Sequence, residues 1–91
     1  MTPMNDEASP LQFPCAFPIK AMGPAGGAFQ QTVWAIVTHH APETPASELT
    51  VTASRQGTYI SVTITITATS RDQLDAIYAD LRDEPSVMAV L

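Results

Sequence analysis

From Tyr59 onward the chain alternates strictly. Ile60, Val62, Ile64, Ile66 and Ala68 fall on one parity, and Tyr59, Ser61, Thr63, Thr65 and Thr67 on the other. A period of two predicts a strand with one aliphatic and one hydroxyl-bearing face, and β-branched residues on both faces favour the pleat. The same period places Phe13, Cys15, Phe17, Ile19 and Ala21 opposite Pro14, Ala16, Pro18, Lys20 and Met22, a first strand. Gly23 and Pro24 are expected to break it, and Pro18, which has no N–H for a ladder, predicts a bulge or local break. In ELTVTAS, Leu49, Val51 and Ala53 are expected to face inward while Thr50, Thr52 and Ser54 face outward. RQG between these last two strands reads as a hairpin loop with Gly57 free to take a positive φ. SVMAVL supplies a short final strand.

Elsewhere the period lengthens. Phe29, Val33, Ile36 and Val37 share one face of a helix spanning about residues 25 to 39, whose first turn Gly26 and Gly27 weaken by about 1 kcal/mol each. Pro42 and Pro45 follow in a loop. Ser70 and Gln73 have the spacing of a capping box, and Leu74, Ile77, Tyr78 and Leu81 repeat at i, i+3, i+4 and i+7, so a second helix covers about residues 71 to 83 until Pro85. The order is βαββαβ. Stripes and faces of this kind bury best as an α+β two-layer sandwich, the ferredoxin-like arrangement, with a four-stranded antiparallel sheet and two helices on one face. In it the first and third strands are central and the other two are edges.

Composition narrows the functions. Ninety-one residues that are 45% hydrophobic suit one domain, here residues 12–91 behind a polar tail of about residues 1–11. No apolar run approaches the roughly 20 residues that cross a bilayer, and the amino end is acidic, so a cytoplasmic protein is expected. Cys15 is the only cysteine and has no partner for an intrachain disulfide. Nine acidic against four basic residues give a net charge of −5, which opposes nucleic acid and anionic membranes alike. RNA-binding sheets of this topology stack bases on aromatic residues, whereas the outward row here is Ser and Thr with one tyrosine.

Catalytic chemistry finds little footing. His39 and His40 are adjacent and diverge by about 100 degrees on a helix, so they are no i, i+4 metal pair, and their place suits a helix C-terminus. Asp72, Asp75, Asp80, Asp83 and Glu84 decorate the second helix as a solvated face, with no pair of acids in an apolar pocket. The reading is of a protein that is not an enzyme and requires no metal and no cofactor. Three surfaces remain: Gly23, Gly26 and Gly27 at a helix N-terminus near Lys20 and Met22, where backbone N–H groups suit a carboxylate or phosphate; the outer face of Thr52, Ser54, Tyr59, Ser61, Thr63 and Thr65; and the edge strand of Ser86, Val87, Met88, Ala89 and Val90.

The segments FPCAFPIKAMG, HAP, SRQGTYISVTITITATSRDQLDAIY and the closing VL resemble the YbeD-like family of small bacterial proteins, a domain of unknown function. The resemblance covers about residues 13 to 91 and rests most on Phe13, Pro14, Phe17, Lys20, Met22, Gly23, Ser54, Gly57, Tyr59, Ser61 and Val62. It implies a fold similar to ACT domains, the ferredoxin-like modules that sense amino acids and other small metabolites. Met88 and Thr52 stand where the family often has basic residues, which argues against anion binding on the outer face. The expected role is a non-catalytic regulatory or adaptor module, contacting a protein partner or itself through the sheet edge or the open face. The alternative is an ACT-like sensor binding a small carboxylate-bearing metabolite, such as an amino acid, near Gly23 and Lys20.

Overall fold

The computed structural model describes residues 11–91. The expected tail lies outside the described residues except for Leu11, which packs against the core. The elements are β1 (Cys15–Pro24), α1 (Gly27–His40), β2 (Leu49–Ala53), β3 (Tyr59–Ala68), α2 (Arg71–Asp83) and β4 (Ala89–Val90), with one 3₁₀ turn at Ala46–Glu48. One antiparallel sheet has the order β2-β3-β1-β4, and both helices lie on one face. This is the ferredoxin-like α+β sandwich that the alternation and stripes predict.

Segregation of side chains by parity builds the core. Ile19, Ala21, Ile60, Val62, Ile64, Ile66 and Ala68 from the sheet meet Phe29, Val33 and Val37 of α1 and Leu74, Ile77 and Leu81 of α2, all buried. No polar or charged residue is buried among the described residues. Fully burying one such aliphatic or aromatic side chain contributes roughly 1.5–3 kcal/mol, so this interior is the main source of stability. The start of α2 is secured as expected: Ser70 Oγ accepts from the Gln73 N–H at 3.0 Å, and Gln73 Oε1 accepts from the Thr69 N–H at 2.8 Å. Gln73 Nε2 also donates to the His40 carbonyl at 2.9 Å, tying the two helices together.

Four expectations are corrected. Gly23 and Pro24 do not break β1; they are its last two residues and continue its ladder with β3, paired with Ile60 and Tyr59. Pro18 causes no bulge, since the β1–β3 register runs unslipped from Cys15↔Ala68 to Pro24↔Tyr59. The reason is backbone parity. The carbonyls of Lys20 and Met22 accept from Leu91 and Met88, so even-numbered β1 residues address the β4 side. At Pro18 β4 pairs with nothing, and the missing N–H breaks no bond. Third, Val51 and Ala53 are exposed although they share the helix-facing parity of Leu49, because neither helix reaches over the β2 edge. Fourth, Ser86 and Val87 are not part of the short last strand: they lie in a turn closed on Glu84, whose carboxylate accepts from the Ser86 hydroxyl and whose carbonyl accepts from the Val87 N–H.

Candidate functional site

The sheet face turned away from the helices is built by outward parity on three strands. Pro18, Lys20, Met22 and Pro24 of β1 lie beside Thr65, Thr63, Ser61 and Tyr59 of β3, and Thr50 and Thr52 of β2 flank Thr63 and Ser61. Lys20 is exposed and has no acidic partner among the described residues. Ser54 departs from the expected carpet: it closes the hairpin, its N–H donating to the Tyr59 carbonyl at 2.8 Å and its Oγ accepting from the Tyr59 N–H at 3.2 Å. Gly57 takes the positive φ of 74° that this turn needs. Tyr59 projects from the same face, 41% exposed, beside Pro24.

The five residues expected to hold a small ligand are not gathered on one surface. Lys20 and Met22 project from the outer face, whereas Gly23 is buried on the helix side. A Cβ at Gly23 would sit 2.3 Å from Phe29 Cε1, so the ring of Phe29 occupies the space that the missing side chain leaves. Gly26, at φ 123°, precedes α1, and Gly27 begins it; no side chain caps this end, and open space surrounds both.

At the far edge of the sheet, Tyr78 and Arg82 of α2 and residues Val87 to Leu91 line an open cleft of about 410 Å³. Leu91 donates its N–H to Lys20, so the backbone groups of Val90, of opposite parity, point away from β1 along the cleft. Met88 and Leu91 are 58% and 65% exposed. Arg82, exposed on the last turn of α2, has no acidic partner among the described residues. Burial raises the Tyr78 phenol above its ordinary pKa. Of the expected edge residues, Met88, Ala89 and Val90 thus form the rim, while Ser86 and Val87 belong to the turn that delivers it.

A second cleft, about 400 Å³, opens where α1 ends, lined by His40, Thr67, Thr69, Gln73 and the Ala41–Pro45 loop. Here His40 Nε2 contacts Asp80 Oδ2 at 2.7 Å, bridging the helices at their surface. Sequence spacing gives no hint of this pair, since it arises only when the helices pack. The rings of His39 and His40 meet edge to face, and no group of three or more His, Cys, Asp or Glu among the described residues is arranged to hold a metal ion. Cys15 is half-buried and unpaired. No helix among the described residues is long and apolar enough to cross a membrane.

Comparison with known proteins finds relatives along the length of the chain. The family model described as "Protein of unknown function (DUF493)" matches residues 8–91. A UPF0250 protein of Nitrosomonas europaea is 47% identical over 85 residues, covering 93% of this chain and 98% of its own. UPF0250 proteins of Ectopseudomonas mendocina and Neisseria gonorrhoeae are 42% and 40% identical, each over the full length of both chains. No solved structure matches.

Proposed function

This chain belongs to the DUF493 family of proteins of unknown function, and from that premise we propose that it is a non-catalytic adaptor or regulatory module that takes an extended segment of a partner protein along β4. The observation that carries the proposal is the outer edge of β4. There the outward-facing main chain of Val90 borders a cleft with apolar side chains at its rim and the cation Arg82 in its wall. Strand addition draws affinity from main-chain hydrogen bonds and specificity from flanking side chains, and Arg82 selects a segment carrying a carboxylate. The non-catalytic part is supported by the character of the His40–Asp80 pair, which is a surface strut between helices and not an acid–base couple in an apolar pocket.

The test is affinity capture from cytosol with the full chain, run beside Val90→Pro and Arg82→Glu. Val90→Pro removes the outward N–H, and Arg82→Glu reverses the charge without touching the backbone. A partner held by the parent chain and lost by both variants is expected. A partner held equally by all three would refute docking at β4.

A sensor of a small carboxylate-bearing metabolite is the second reading. It is supported by Lys20, a cation without an acidic partner among the described residues, on the hydroxyl face beside Thr63. Saturable amide shifts at residues 20 to 27 in titrations with amino acids are its expected signature, and their absence across the amino acids removes it.

A further inference from the structure

We propose that the outer edge of β2 is a self-association surface, pairing antiparallel with β2 of a second copy about a two-fold axis through Val51. The argument begins with how the open edges differ. Along Cys15–Ile19, β1 has no neighbour on the β4 side among the described residues, and Pro14 and Pro18 remove N–H groups there, a common protection against unwanted pairing. The β2 edge has no such device: Leu49–Ala53 contains no proline and no charge.

Its main chain is also poised. Thr50 and Thr52 address β3, so Leu49, Val51 and Ala53 present their backbone groups outward. The Leu49 N–H is already given to the Ala46 carbonyl. Pairing about Val51 joins the Val51 N–H and C=O reciprocally to Val51 of the second copy, and the Ala53 N–H of each to the Leu49 carbonyl of the other. That makes about four main-chain hydrogen bonds.

Side chains favour a second copy as the occupant. Val51 points to the helix side with no helix above it and is 41% exposed. A two-fold perpendicular to the sheet keeps both helical layers on one side and sets Val51 against its counterpart. A hollow of about 210 Å³ lined by Gln30, Gln31, Trp34, Ala46 and Leu49 lies along the same seam. Charge fixes the direction. Glu48 precedes β2 and Arg55 follows it, both exposed and without an ion pair among the described residues. Antiparallel pairing brings the Glu48 end of each copy to the Arg55 end of the other, whereas parallel pairing sets Glu48 beside Glu48.

Sedimentation velocity of the full chain from micromolar to millimolar concentration is the test, with circular dichroism confirming that each variant is folded. A concentration-dependent dimer is expected. Val51→Lys, which sets like charges opposite each other at the axis, is expected to weaken it about tenfold or more. Arg55→Glu is expected to weaken it as well, and adding Glu48→Arg to that variant to restore it. A monomer throughout the range, a dimer indifferent to Val51→Lys, or a charge swap that fails to restore association would each overturn the proposal. The β2 and β4 edges lie at opposite ends of the sheet, so this outcome is independent of partner capture at β4.

Discussion

Gly23 shows how a single residue is chosen by what packs over it. Its position before a helix makes it read as a turn former or a ligand cradle, yet it sits inside β1 with the Phe29 ring against its α-carbon. The sequence shows the glycine but not the aromatic ring that requires it, because the two meet only when α1 folds back over the sheet. Gly23→Ala forces that ring to move within a dense core, and such overpacking typically costs about 1–3 kcal/mol. Chemical denaturation is expected to show a lowered midpoint with an unchanged slope, and Phe29→Leu in the Gly23→Ala background is expected to recover part of the loss. A Gly23→Ala chain as stable as its parent would show that Phe29 yields without cost.

At the scale of elements, what was legible was whatever a segment settles by itself. The period of two in Tyr59–Ala68 fixes which side chains enter the core, and Ser70 with Gln73 starts α2 at the residue that the capping pattern indicates. What neighbours settle was not legible. Val51 has the parity of a buried residue and is exposed because the helical layer stops short of β2, and β4 shrinks to Ala89–Val90 because Glu84 holds the preceding residues in a turn. The candidate site followed the same division: the hydroxyl face was readable, but the cleft by Tyr78 and Arg82 and the His40–Asp80 bridge join elements distant in sequence. Pro18 belongs to both classes. It is an obvious conflict in a central strand, and its resolution depends on how far β4 extends. Since the absent N–H points to the unpaired side, Pro18→Val is expected to change stability by less than about 1 kcal/mol while giving that edge a new donor. Light scattering on heating is expected to rise earlier for Pro18→Val than for the parent. Loss of the folded state, or unchanged scattering, would mean that the proline does something other than guard the edge.

For the whole molecule, the sheet resembles in topology those that bind single-stranded RNA, so the discriminating features are its charge and the chemistry of its open face. RNA-binding sheets hold bases by stacking on outward aromatic side chains and hold phosphates by lysine and arginine. Here Phe13, Phe17 and Phe29 pack with the core, leaving Tyr59 as the aromatic residue of the outer face among hydroxyls, with Lys20 as the cation beside them. A net charge of −5 adds repulsion at long range, least screened in dilute salt, where a true nucleic-acid binder is at its strongest. Fluorescence anisotropy of a labelled single-stranded RNA is therefore expected to stay flat as protein is added even at low ionic strength, and Lys20→Ala is expected to change nothing. A rise that diminishes with added salt would show that the hydroxyl face serves a polyanion after all, and would displace metabolite sensing by Lys20 as the reading of what this surface is for.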